Sequence, residues 1–436
     1  MKKYKYIKYL LFFLFFLLCL IIFGYNDADI MWNYGMAHAI RIGEIPYKDF
    51  NIISTPLYAF IMSLGLFISD TYIMFLIEQS ILCTIFIYLL EKYLGEKYIL
   101  LFIAICFPIF IFIFPTYNFL VALIVLLLLI FEKEEKPDWQ IGILLGLLFL
   151  TKHTVGGVFI LLSVISTLNI KKGLTRILYT IIPCLVFLLY LLITKSLYSF
   201  IDLSILGLFD FGKNNKSISI VLMTLCLIVF IYTIYSFFKY KKDYKNFYLL
   251  AALSFVIPMV DLMHTTSYII MFLIVLLSRI KIKHNIKQLI IPTLSIVLSI
   301  FIMNVIYHYN YYKGVVLNTN LVREKGLLLD QEGKDYVHKV LKKYKSYKNS
   351  HIISMESMFF DIESGKKITY FDVPLHGNLG YDGIAKLEKN ISKMHNHYFL
   401  IRDNKNGQFI NEVNDYIRKN GVFIEEYESY EIYKIK

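Results

Sequence analysis

Apolar runs of about 15 to 25 residues follow one another from near the start of the chain to about residue 306, and this repetition constrains the fold more than any motif does. About 20 such residues carry an α-helix across the hydrocarbon core of a bilayer. Backbone N–H and C=O groups in lipid have to be satisfied within the chain, which leaves only helices or a closed barrel. Barrel strands would alternate polar and apolar residues, and these runs are apolar throughout. The expected class is an all-α polytopic membrane protein. Composition agrees, since 57% of the 436 residues are hydrophobic and only 18% are charged, too few charges to clothe a water-facing surface of that size.

Lys and Arg outnumber the acidic residues 45 to 33. Such an excess can mark a nucleic-acid partner, but here much of it sits in short connections, where positive charge orients membrane spans toward the cytoplasm. No nucleic-acid function is read from it. Basic clusters at 2–8, 92–97, 133–136, 171–176 (KKGLTR), 239–245 (KYKKDYK) and 279–287 (RIKIKHNIK) are all expected inside. One topology satisfies all six, with eleven spans near 7–24, 72–92, 98–114, 117–131, 139–151, 154–170, 174–194, 217–238, 247–262, 266–279 and 288–306. The N-terminus is then cytoplasmic and the C-terminus outside. STPLYAFIMSLGLFIS, residues 54–69, has an apolar core of about 14 residues and is expected not to cross. The first span, preceded by Lys2, Lys3, Lys5 and Lys8, resembles a signal peptide, but its core is too long and no small-x-small site follows, so it is expected to stay uncleaved. Cys19, Cys83, Cys106, Cys184 and Cys226 lie inside apolar segments without ligand spacing and read as buried small hydrophobes.

After about residue 307 the chain turns polar. Short β-rich runs (HIISME, KITYFDV, HYFLIRD, VFIEEYESYEIYKI) alternate with helical patterns (DYVHKVLKKY, YDGIAKLEKNISKM, FINEVNDYIRKN). The division is a transmembrane domain over 1–306, with an external loop at 25–71, and a small extracytoplasmic α/β domain over 307–436. The lysine-rich, low-glycine composition points to an AT-biased bacterial genome, and so to a bacterial plasma membrane.

The external loop opens on DADIMWNYGMAHAIRIGEIPYKDFN, residues 27–51. Helical spacing sets Trp32, Met36 and Ile40 on one stripe, as in an amphipathic helix lying among headgroups, with Asp27 and Asp29 at its start. Gly43 ends that helix and Pro46 forbids its resumption. Tyr47, Lys48, Asp49 and Asn51 then form a polar turn. Either acid equally fits a helix cap that accepts backbone N–H bonds.

Four stretches carry a resemblance. The first span followed by an external Asp, then AxxIxxGEIPYKDF from Ala37 and TPL at 55–57, resembles the first external loop of the GT-C class of membrane glycosyltransferases, which includes the protein mannosyltransferases and the aminoarabinose lipid A transferases. GILLGLLFLTKHTVGG at 142–157 resembles that class's glycine-spaced span ending in an external Lys, PTYN at 115–118 its second external loop, and PMVDLMHTTSY at 258–268 a later span end with Asp and His. The resemblance implies an inverting transferase that moves a sugar from a polyprenyl-phosphate donor to an acceptor hydroxyl of a glycan, lipid or protein at the outer face. It implies Asp29 as the carboxylate that takes the hydroxyl proton, with Asp27 second. Lys152, Lys48 and Arg41 are the cations for the departing phosphate, each against a reading as a snorkelling side chain. Asp49, Asn118, Asp261 and His264 are candidate sugar or phosphate contacts, Asp261 and His264 sharing a helix face at i, i+3. No cofactor is required, although oxygen and imidazole ligands at Asp29, Asp49, Asp261 and His264 are compatible with a divalent metal. HGNLGYDG at 376–383 is a glycine-rich loop before a helix, a geometry that receives phosphate or sugar and equally an ordinary turn. A surface-polysaccharide polymerase or ligase, a lipid-linked sugar flippase and a scaffold for the external domain are the competing classes. A transporter would gather its polar residues at the midplane of paired halves, and no such repeat is present.

Overall fold

The computed structural model describes residues 2–23, 28–95, 116–214, 220–257, 260–280, 316–317, 328–329, 331–354, 356–367, 375–404 and 409–436. The expected spans at 98–114 and 288–306, Asp27, Cys106 and the run KITYFDV from Ile368 onward lie outside the described residues. The chain divides into two compact units that interleave along the sequence. One comprises 1–24, 76–189 and 217–311, and the other 25–75, 190–216 and 312–436.

The first unit is helical. Three helices, Tyr72–Leu94, Ile170–Ile193 and Ile220–Lys239, are long and apolar enough to cross a membrane. Only 17% and 22% of the apolar stretches of the last two are buried within the protein, and their outward faces carry Leu178, Val186, Leu189, Val221, Ile228 and Ile231. An apolar surface of that extent suits lipid and not water. The helix Tyr117–Lys133 has the opposite character, with Asn118 to Leu126 buried without interruption. Beside it, Asp138–Thr151 and His153–Ser166 form a tight hairpin, and the packing continues from His153–Ser166 through Tyr244–Ala252 to Leu262–Arg279.

Basic residues expected only to orient the spans are largely engaged at one end of this unit. Arg176, nearly inaccessible, reaches Asp138 Oδ1 at 2.8 Å through Nε, the two oxygens of Glu132 at 2.5 and 3.0 Å through Nη1 and Nη2, and Ser163 Oγ at 2.8 Å. Arg279 likewise holds Asp243 at 2.7 Å and Asn246 at 2.9 Å. Lys8 pairs with Glu91 at 2.6 Å.

The second unit is mixed. Its 25–75 segment contains the helix Ala28–Arg41, a turn and the 12-residue helix Leu57–Ile68. Twelve residues rise about 18 Å, well short of the roughly 30 Å of a hydrocarbon core, as the 14-residue apolar run suggests. The helix Ala28–Arg41 departs from expectation. Asn33 to Ala39 are buried on every side, so the Trp32, Met36 and Ile40 stripe is not one face of a helix half in water. The reason is a second packing partner, the helix Ser357–Ser364, whose Met358 sulfur leaves no room for a Cβ at Gly35.

The C-terminal part of this unit is the expected α/β fold. Strands β1 (Ser350–Ile353), β2 (Tyr398–Ile401), β3 (Gly421–Tyr427) and β4 (Tyr430–Ile435) form one sheet in the order β1-β2-β4-β3, with β1 and β2 parallel and the other pairs antiparallel. Side chains alternate across it. Ile353, Phe399, Ile401 and Ile435 pack against the helices Gly383–Ile391 and Glu412–Asn420 on one face. Ile352, Leu400 and Ile432 pack against the helices Gln331–Ser346 and Ser357–Ser364 on the other. The result is a three-layer sandwich.

Two buried titratable groups in it have opposed effects on stability. Burial pushes the Asp361 carboxyl up to about 7, against the Tyr344 hydroxyl at 2.5 Å and Lys366. Burial, with His397 and Lys366 nearby, pushes His351 down to about 3. A carboxyl raised in the fold contributes stability that is complete below its unfolded pKa near 4 and is lost as pH rises toward 7. A depressed histidine contributes stability present above about 6.5 and lost as pH falls toward 3. Between pH 4 and 6.5 the two slopes cancel, each about 1.4 kcal/mol per pH unit. Asp361→Asn is therefore expected to make this sandwich more stable as pH rises through that window, and His351→Gln less stable. Hydrogen exchange of the β1 and β2 amides in the full chain checks this, and slopes of the same sign in both variants would reject it.

Candidate functional site

One polar cluster of the first unit assembles at three helix starts. Thr151 ends one helix, Lys152 is extended (φ −151°, ψ 97°), and His153 begins the next, so a single residue makes the corner of the hairpin. The corner closes this tightly because a Cβ on Gly156 would stand 2.4 Å from Phe149 Cα, an approach only glycine permits. Turned outward from the corner, the Lys152 ammonium donates to Asn118 Oδ1 at 3.0 Å and lies 5.4 Å from the centre of the Tyr117 ring. Asn118 is buried in the first turn of Tyr117–Lys133. Asp261 caps Leu262–Arg279 by accepting the His264 backbone N–H at 2.8 Å, and its carboxylate holds His264 Nδ1 at 2.7 Å. Lys152 is within electrostatic reach of both Asp261 and His264.

Asn118, Lys152, Asp261 and His264, proposed from separate stretches of sequence, thus belong to one cluster. Tyr117–Lys133 and Leu262–Arg279 carry Glu132 and Arg279 at their other ends, and Asp138 starts the helix that runs to the Lys152 corner. Tyr117–Lys133 and Leu262–Arg279 have 17 and 18 residues, so about 26 Å of apolar helix separates the two polar ends, close to the thickness of a hydrocarbon core. Chemically, an ammonium beside converging helix N-termini favours an anion. A histidine whose Nδ1 is held by a carboxylate presents Nε2 in a fixed direction.

The other candidates fall in the second unit. Asp29 lies in the first turn of Ala28–Arg41, with its side chain outside the described residues. Arg41 ends that helix 3.3 Å from Asp70 Oδ2. Asp49 Oδ2 accepts the Ile45 N–H at 2.8 Å and so braces the turn, while Lys48 is exposed at its tip. Sequence reading passed over His38 and Asp70, whose Nδ1 and Oδ1 meet at 2.8 Å. His38 is buried, and its Nε2 has no hydrogen-bond partner among the described residues. The only signal was a histidine amid small residues in MAHAIR, with its aspartate 32 positions away across an apolar helix. Among the described residues no group of three His, Cys, Asp or Glu side chains is arranged to hold a metal ion.

Fold and site together define a helical protein with, among the described residues, three helices able to cross a membrane, a small C-terminal sheet and an anion-favouring polar cluster at helix starts. No family model, curated protein or solved structure matches the chain.

Proposed function

We propose that the chain is a GT-C-type membrane glycosyltransferase, moving a sugar from a polyprenyl-phosphate donor to an acceptor hydroxyl at the outer face of a bacterial plasma membrane. The observation that carries this reading is the junction of Lys152, Asn118, Asp261 and His264 at helix starts, a site suited to a lipid-linked phosphate. The sidedness has its own support. The charge-derived topology puts 25–71, the 195–216 connection and everything after 306 outside, and 25–71, 195–216 and 312–436 fall in one unit. All six basic clusters fall in the other.

In the reaction the acceptor oxygen attacks the anomeric carbon as the bond to the phosphate oxygen breaks, inverting that carbon. A carboxylate takes the hydroxyl proton and Lys152 compensates the charge gathering on the phosphate. His264, oriented by Asp261, contacts a sugar hydroxyl or a phosphate oxygen. The test is reconstitution into vesicles with radiolabelled lipid-linked sugar. Glycoside formation without net lipid crossing is expected, and lipid crossing with no glycoside formed would replace this reading with transport.

A further inference from the structure

A cleft of about 370 Å³ opens in the second unit, within the roughly 300–1,000 Å³ range of small-ligand sites. Three segments distant in sequence frame it: the turn after the first helix of the unit, the helical stretch Leu197–Leu206, and the helix Gly383–Ile391 with the loop before it. Its walls are held firmly. The Tyr47 and Phe200 rings meet edge to face at 5.2 Å, and Ser204 Oγ donates to Ile52 O at 3.3 Å.

Asp202, on a π-helical turn, fixes the floor. Its carboxylate accepts the Tyr381 N–H at 3.3 Å and pairs with Lys386. This contact requires Gly380, whose φ is +78° and whose Cβ would lie 2.6 Å from Asp202 Oδ2. The glycine loop HGNLGYDG is therefore filled by a carboxylate of the chain itself. Any further anion has to be met on the flank of the helix that follows.

That flank is cationic. Lys386 and Lys389 on the helix, with Lys393 two residues beyond its end, all line the cleft, three positive charges against the single negative charge of Asp202. Asp202 accounts for Lys386. No carboxylate among the described residues pairs with Lys389 or Lys393, and both are exposed. Two ammonium groups beside one cavity repel each other, so folding alone does not explain their placement. The helix dipole favours lysines near this end but not their shared direction. Asn51, buried, and Asn390 add amide groups that both donate and accept, the complement of sugar hydroxyls.

We propose that this cleft binds an acidic glycan, its carboxylate or phosphate groups on Lys389 and Lys393 and its hydroxyls on Asn51 and Asn390. Only its further role as the acceptor site rests on the glycosyltransferase reading. The experiment uses the full chain in nanodiscs of neutral lipid. Oligogalacturonate and oligo(glycerol phosphate) are the anionic probes and a maltooligosaccharide is the neutral one. Binding of at least one anionic probe is expected, weakened about tenfold or more by Lys389→Glu/Lys393→Glu, several-fold by the milder Gln pair, and by added salt. Which anionic probe binds tells carboxylate from phosphate. Lys342→Glu/Lys345→Glu, exposed on the helix Gln331–Ser346, should leave affinity unchanged. Equal loss in that control, equal binding of the neutral probe, no effect of the cleft lysines, or binding only to vesicles of anionic lipid would each overturn the proposal. The two readings fail separately. Glycan binding without any sugar transfer removes the enzyme and keeps the cleft, and transfer with binding indifferent to Lys389 and Lys393 does the reverse.

Discussion

Lys152→Gln is expected to lower sugar transfer by about 10²–10³-fold, the loss typical when one preorganised charge-stabilising donor is removed. The ammonium is fixed by the one-residue corner between two helices and by Asn118, so little reorganisation is needed when the phosphate departs. Because negative charge on that phosphate grows toward the transition state, kcat should fall more than KM rises. Lys152→Arg keeps the charge at a different reach and should retain part of the rate, and Asn118→Ala, which only frees the ammonium, should cost about tenfold. Asp29→Asn, which removes the proposed base, should cost about 10²–10⁴-fold with membrane insertion intact. Initial rates of glycoside formation from a radiolabelled lipid donor decide these cases. Full activity in Lys152→Gln would move the phosphate site elsewhere, and a cysteine at position 29 that is labelled only from the cytosol would remove the donor from the proposed base.

Why some of this was legible in the sequence and some not comes down to the range of the interactions. The short helix Leu57–Ile68 followed from counting apolar residues, because span length is a local property. The α/β sandwich followed from period-two and period-3.6 patterns that its two cores then used, Ile352 to one side and Ile353 to the other. Gly142 and Gly146 of GILLGLLFL lie against the carbonyls of Arg176 and Thr180, a close helix approach. The partner was not readable from the spacing. The helix Ala28–Arg41 was misread for the same reason, since a hydrophobic stripe says nothing of a second element arriving more than 300 residues later to cover the opposite side. Lys152, Asn118, Asp261 and His264 could be placed at one end of the bundle by charge alone, but that Lys152 meets Asn118 required the corner geometry. His38 and Asp70 left only a histidine among small residues, with nothing local to point to its aspartate.

Arg176 gives the sharpest contrast between a residue that only orients a span and one that also holds the fold. If the KKGLTR cluster served orientation alone, Arg176→Ala would be silent, because Lys171 and Lys172 remain to keep that connection cytoplasmic. The geometry argues otherwise. A guanidinium that grips both oxygens of Glu132, together with Asp138 and Ser163, ties Tyr117–Lys133, Asp138–Thr151, His153–Ser166 and Ile170–Ile193 at one point, and the Tyr248 hydroxyl adds a bond to Glu132 at 3.0 Å. Removing the cation leaves two poorly solvated carboxylates facing each other. Breaking a buried pair from one side costs about 3–5 kcal/mol, and because Glu132 and Asp138 keep some access to solvent the lower end is expected, about 3 kcal/mol. Arg176→Lys should recover little, since an ammonium cannot grip Glu132 in two places. The triple change Arg176→Met, Glu132→Gln, Asp138→Asn removes every charge at once and should recover most of the loss. Reversible unfolding of the full chain in mixed micelles measures the series. A triple variant no more stable than Arg176→Ala would mean that lost packing of the arginine stem, and not stranded charge, sets the cost.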